Sequence, residues 1–157
     1  MRIHAITPDR YHRFNKGVQQ FAKRHGDGRI TRGALRLAEA ALADSSSSKG
    51  NQLLLMSDQG DIAGVSLVLG YGEIAAIVIV HSEYRGRRVA PQLISRHVAD
   101  LGAYTCNVAV HNTPSLKMCF RAGLTAVGLF TGPTGVPTLR FIHPGSFVTS
   151  TNLNQSG

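Results

Sequence analysis

The chain has 157 residues, 43% hydrophobic and 17% charged, with 17 Lys and Arg against 9 Asp and Glu for a formal charge of +8. That length suffices for one domain with a real core, and no apolar run is long enough to span a bilayer, so no membrane partner is expected. The apolar stretch at residues 1–6 is too short for a signal peptide, and Cys106 and Cys119 have neither metal-ligand spacing nor the density of a disulfide framework, so a reducing, cytoplasmic setting is expected.

Residues 2–6 read as a strand. From Pro8 the sequence turns helical through about Arg24, where Gly26-Asp27-Gly28 breaks it. A second helical segment, rich in Ala and Leu, occupies residues 31–42, and the polar, low-complexity stretch 45–50 reads as an exposed loop. Strands at 52–57 and 61–69, joined around Gln59-Gly60, form a hairpin. It leads into residues 74–80, an apolar, β-branched run that reads as a strand covered on both faces.

The next segment carries the most information. Tyr84-Arg85-Gly86-Arg87-Arg88-Val89-Ala90 precedes a pattern with Leu93, Ile94, His97, Val98 and Leu101 on one side, the period of an amphipathic helix. The first amides of such a helix lack intrahelical partners and sit at the positive end of its dipole. With three arginines beside them, they suit a phosphate-bearing cofactor. Residues 105–110 then read as a buried strand, and Asn112 through Leu124 as a helix that Asn112 caps, Pro114 opens and Gly123 stops. Residues 125–130 and 137–142 form a final hairpin around Gly132-Pro133-Thr134-Gly135, and the tail from 146 to 157 is polar.

Two of these segments resemble the signatures of the GNAT superfamily of acetyl-CoA-dependent N-acetyltransferases. The first is Arg or Gln, two variable residues, Gly, one variable residue, then Gly or Ala; Tyr84, Arg85, Gly86 and Ala90 match, whereas Arg88 stands where the family usually has Gly. A side chain there narrows the phosphate cradle or folds its guanidinium back onto the phosphates. The second is an Asn-led helix ending in Gly, matched by Asn112 to Leu124. The resemblance covers roughly residues 72–130. It implies a single-domain α/β fold over residues 1–145, with a mixed central β-sheet of about seven strands flanked by about four helices. It also implies acetyl-CoA as cofactor. The pyrophosphate would lie on the amides of Arg85, Gly86, Arg87, Arg88, Val89 and Ala90, the pantetheine arm along Val78, Ile79 and Val80, and Asn112 and Ser115 would border that arm.

The implied chemistry is direct attack of an amine on the thioester. It requires removal of a proton from the amine, stabilisation of the oxyanion, and a proton for the departing thiolate. Glu73, at the start of the central strand, is the candidate general base; the alternative is a solvated glutamate at a turn after Gly70-Tyr71-Gly72. One residue of slip would turn it to the other face. Cys119 takes the position where the family usually has a proton-donating tyrosine. Three readings of it stand: a small packed hydrophobe, a thiol proton donor, or a transiently acetylated nucleophile. His81, His111, Tyr84 and Tyr104 are further polar groups near strand ends. No metal-ligand cluster and no ATP-binding glycine loop is present in the sequence.

Charge is uneven. Before residue 50 there are 10 basic residues and 4 acidic, a surplus of +6 out of +8. In the resembled family this segment lines the acceptor side. A basic acceptor side favours an amine on a protein with an acidic surface, and leaves nucleic acid and a homodimer as further partners; solvated helix faces are the plain alternative. The competing reading is a non-catalytic protein of the same fold that binds nucleic acid or another protein through this face.

Overall fold

The structure is a computed structural model that describes residues 1–26, 40 and 49–145. The sequence-predicted helix at 31–42, most of the 45–50 loop, the basic residues Arg29, Arg32 and Arg36, and the tail from 146 lie outside the described residues. The chain falls into two compact units, residues 1–93 and 94–157.

In the first unit four strands form an antiparallel sheet in the order β1-β2-β3-β4: β1 (Arg2–Ile6), β2 (Gln52–Asp58), β3 (Asp61–Leu69) and β4 (Ala75–Val80). Alternation along β2 separates two apolar faces. Leu53 and Leu55 join Val65, Leu67 and Leu69 on one face, where Tyr11, Phe14, Val18 and Phe21 of helix α1 (Tyr11–His25) cover them. Leu54 and Met56 join Ala63 on the other, where Val89 and Leu93 of helix α2 (Val89–Leu101) sit. A helix on each face explains why β2 and β3 read as continuous apolar runs rather than alternating ones. A short 3-10 turn at Pro8–Arg10 precedes α1, so the α-helix starts later than the proline suggested.

Gly64 makes the second face close. A Cβ on it would meet Val89 Cγ1 at 2.6 Å and Leu93 Cδ1 at 3.2 Å, so the first turn of α2 rests directly on the backbone of β3. Between β3 and β4, Gly70, Tyr71 and Gly72 take φ of 56°, 60° and 97°, three left-handed residues in succession. Such a run is open to glycine and strained for tyrosine.

The second unit holds a three-stranded antiparallel sheet in the order β5-β7-β6, with β5 (Thr105–Ala109), β6 (Thr125–Thr131) and β7 (Pro137–Ile142). Helix α3 (Thr113–Arg121) ends as its sequence requires. Gly123 adopts φ +79°, and the Leu124 amide donates to the Cys119 carbonyl at 3.0 Å. Tyr104, Phe141, Cys119 and His97 are among its fully buried side chains. Every residue of the edge strand β6 is exposed, including Leu129 at 66%.

The architecture corrects one of these expectations. The mixed sheet is instead two antiparallel sheets; short connections join β2 to β3, β3 to β4 and β6 to β7, and such connections close antiparallel pairs only. Three of the expected four helices are α1, α2 and α3, and the remaining one, expected at 31–42, lies outside the described residues. The 74–80 run is covered on both faces, but only in part because β4 is an edge: Ala75 and Ile77 pack against the α1-side cluster and Val78 and Val80 against the α2-side one, only Ile79 is buried, and Ile74, 59% exposed, precedes the strand. No helix among the described residues is long and apolar enough to cross a membrane.

Candidate cofactor and catalytic site

β4 pairs with β3 in an unbroken register, Val65 with Ile79 and Leu67 with Ile77, extended by the His81 amide on the Ala63 carbonyl at 2.9 Å. In an antiparallel ladder alternate residues spend their backbone groups on the partner strand. Ile79 therefore faces β3 with its N–H and C=O, whereas those of Val78 and Val80 point to the open edge. Of the three strand residues expected to receive a pantetheine arm, two present their backbone outward and Ile79 does not. The ladder of β4 with β3 runs without a bulge, and an irregularity falls between Met56 and Ser57 in the β2–β3 ladder.

After β4 the chain makes a 3-10 turn at Ser82–Tyr84 and reaches the arginine-rich turn. Gly86 has φ +79° and Arg88 φ +62°. The position that the family reserves for glycine thus keeps a glycine-type backbone while carrying an arginine, at a conformational cost of about 1–2 kcal/mol. Among the described residues, no group accepts from the amides of Gly86, Arg88, Val89 or Ala90. The Arg87 amide is already used, donating to the Tyr84 carbonyl at 3.3 Å. Four unpaired amides at the start of a helix, with open space beside Gly86, fit a phosphate group.

The three arginines do different things. Arg85 Nη2 donates to the His25 carbonyl at the end of α1, 2.8 Å away. The Arg87 guanidinium lies over the Tyr84 ring, 5.1 Å from its centroid. The Arg88 carbonyl receives both the Gln92 amide and the Gln92 side chain, closing the first turn of α2. All three arginines are exposed, and Val89 and Ala90 are buried beneath the turn.

Glu73 caps the Gly70–Gly72 turn, its amide donating to the Gly70 carbonyl at 3.0 Å, and is exposed immediately before β4. Asn112, Ser115 and Cys119 lie in the second unit. Asn112 Oδ1 accepts from the Ser115 amide at 3.4 Å, the cap anticipated from the sequence. Cys119 is fully buried, with its Sγ 3.7 Å from that of Cys106. The shared hydrogen bond and burial push the Cys106 thiol well up; the same bond pulls Cys119 down against burial. The Cys119 thiol thus has no exposed surface and is engaged by a second thiol. No group of three metal-ligating side chains occurs among the described residues.

Sequence reasoning missed the contacts that brace the turn. His25 and His81 stack with ring centroids 4.0 Å apart, and nothing in either local sequence announces a partner 56 positions away.

No protein-family model matches the sequence, and no curated protein matches it either. Solved structures do. A variant of spermidine N-acetyltransferase SpeG from Vibrio cholerae superposes with a TM-score of 0.62 at 15% identity, covering 100% of both chains. A GnaT-family acetyltransferase from Bordetella pertussis gives 0.57 at 18%, covering 89% of this chain and 99% of the other. A chain of the NatC complex bound to Gag peptide and CoA gives 0.61 at 13%, covering 92% and 99%. At such identities the likeness is one of fold, and the fold is that of the GNAT acetyltransferases.

Proposed function

We propose that this chain, built on the GNAT fold, is an acetyl-CoA-dependent N-acetyltransferase that passes the acetyl group to a primary amine, preferably on a protein, by direct attack within a ternary complex. The observation that carries the reading is the pair of features within the first unit: the outward backbone of Val78 and Val80, and the unpaired amides of Gly86, Arg88, Val89 and Ala90 at the start of α2. The turn amides would hold the pyrophosphate, and the strand edge would hydrogen-bond the pantetheine amides. When bound, acetyl-CoA supplies an acetyl group already activated as a thioester. Glu73 takes the proton from the attacking amine, directly or through water. Cys119 is assigned to packing.

Neighbours of this fold include one named for spermidine and one bound to a peptide. α1 carries Arg13, Lys16, Lys23 and Arg24 and no acidic residue. That surface repels a polyamine and attracts an acidic protein, which supports a protein amine as acceptor.

The test is the unfolding temperature with acetyl-CoA, compared with ATP and NAD at equal concentration. A ligand at 100 times its dissociation constant adds about 2.7 kcal/mol, a shift of several degrees for a domain of this size. The shift should be selective for acetyl-CoA and vanish in Gly86→Val, where a β-branched residue meets a left-handed backbone. No shift in the wild-type chain sinks the reading. A second reading, a non-catalytic binding protein of the same fold, draws on the burial of Cys119 where the family has its proton donor. It predicts partner binding without acetyl-CoA turnover and unharmed by Gly86→Val.

A further inference from the structure

The end of α1 and the segment after β4 meet beside the arginine turn through a small aromatic cluster. The His25 and His81 rings lie 4.0 Å apart between centroids, tilted by 35°. Phe21 flanks His25 at 4.8 Å, and Tyr84 stands edge-on to His81 at 5.6 Å. His25 Nδ1 accepts from the Ser82 amide at 3.4 Å, and His81 Nδ1 accepts from the Glu83 amide at 3.2 Å. The His25 carbonyl holds the Arg85 guanidinium.

An imidazole that accepts at Nδ1 carries its proton on Nε2, so both rings are in the neutral state. A proton added to either converts an acceptor into a donor facing a backbone N–H. It also places a positive charge against the neighbouring ring, with Arg24 on α1 and Arg85 on the turn close by. Glu83 opposes them, and Asp58 near Tyr84 completes the surroundings. Burial, then His81, Arg24 and Arg85, hold His25 below its ordinary range, against Glu83.

We propose that the His25–His81 stack is a proton-sensitive latch: in its neutral form it holds the end of α1 and the Arg85 guanidinium against the phosphate-receiving turn, and on acidification it opens and weakens the binding of CoA. The proposal rests on the cofactor reading above. His25 and His81 are positioning residues, acting through Ser82, Glu83 and Arg85 rather than on the ligand.

The experiment measures CoA affinity by calorimetry from about pH 8 to about pH 5.5, for the wild-type chain and for the double variant His25→Phe with His81→Phe. The variant keeps two stacked rings and removes both titrating nitrogens; ionisation of CoA's own phosphates acts on both proteins alike. The wild-type affinity should fall about tenfold further than that of the variant, the effect of one pKa unit of difference between bound and free states. In the ligand-free wild-type chain, the amide resonances of Ser82 and Glu83 should move over the same range. Parallel affinity curves overturn the proposal, as do Ser82 and Glu83 amides that ignore pH. Absence of CoA binding at every pH instead overturns the cofactor reading, and is told apart by amides that still titrate.

Discussion

Gly64→Ala tests whether β3 positions the phosphate-receiving turn. The added methyl would sit 2.6 Å from Val89 Cγ1, 3.2 Å from Leu93 Cδ1 and 3.3 Å from the Ile79 carbonyl. Carbon atoms settle at about 3.5–4.0 Å, so about 1 Å must be found. Val89 is β-branched and stiff in a helix, Leu93 is fully buried, and Ile79 contributes strand backbone, so the start of α2 has to lift. Overpacking of this kind costs about 1–3 kcal/mol, and the alanine returns about 0.4–1 kcal/mol by restricting the unfolded chain. A net loss of about 1–2 kcal/mol lowers Tm by about 2–8 °C. Chemical denaturation measures the loss, and CoA titration measures the displacement of the amides at Arg88, Val89 and Ala90. Val89→Ala introduced into Gly64→Ala removes the clashing atom and should recover part of both. A Gly64→Ala protein as stable as the wild type, with unaltered CoA affinity, would refute the close packing of α2 on β3. Strict additivity of the two substitutions would do the same.

Three further expectations follow from named residues. Arg88→Gly releases a left-handed arginine and should stabilise the chain by about 0.5–1 kcal/mol, the left-handed penalty less the entropy that glycine adds; Arg88→Val should destabilise it, and thermal melts of the pair decide. His97, fully buried on α2 and stacked on Tyr104 at 6.1 Å, is held down to about 4 by burial, with Asp100 opposing. The unfolded chain takes up that proton near 6.5 and the folded chain resists it. Stability is therefore whole above pH 6.5 and falls toward pH 4, by up to about 3 kcal/mol, and urea midpoints across that range should flatten in His97→Gln. Cys119→Ala should cost about 1–2 kcal/mol of stability and leave acetyl-CoA turnover unchanged; a large fall in turnover without loss of fold would return Cys119 to the catalytic site.

What the sequence disclosed was local. β1, β3 and β7 lie where alternation and turn residues put them, and Asn112 and Gly123 cap and stop α3 because capping depends on neighbours a few residues away. The arginine turn was legible for the same reason. The pairing of strands was not: β7 inserts between β5 and β6 through contacts distant in the chain, and no periodicity encodes that choice. The 74–80 run packs on both faces as its apolar sequence suggested, but its partial exposure was not legible, because an apolar strand reads alike whether central or at an edge. The packing of Val89 on Gly64, and of His25 on His81, joins residues 25 and 56 positions apart. The left-handed φ of Arg88 was signalled only indirectly, by an arginine standing where the resembled family usually has glycine.

β6 carries a consequence for anyone handling this protein. Its seven residues, Thr-Ala-Val-Gly-Leu-Phe-Thr, include no charge and no proline, and all are exposed along one side of a sheet. Sheet edges of that kind invite another strand unless something discourages the approach. Here the discouragement is the irregularity between Ala126 and Gly128, together with the +8 of the whole molecule, which acts at a distance and reaches only as far as the Debye length. That length shrinks from about 10 Å at 0.1 M salt to about 3 Å at 1 M. High-salt elution or a polyanionic contaminant therefore removes the charge that the strand itself lacks, and Leu129→Lys would build it back in.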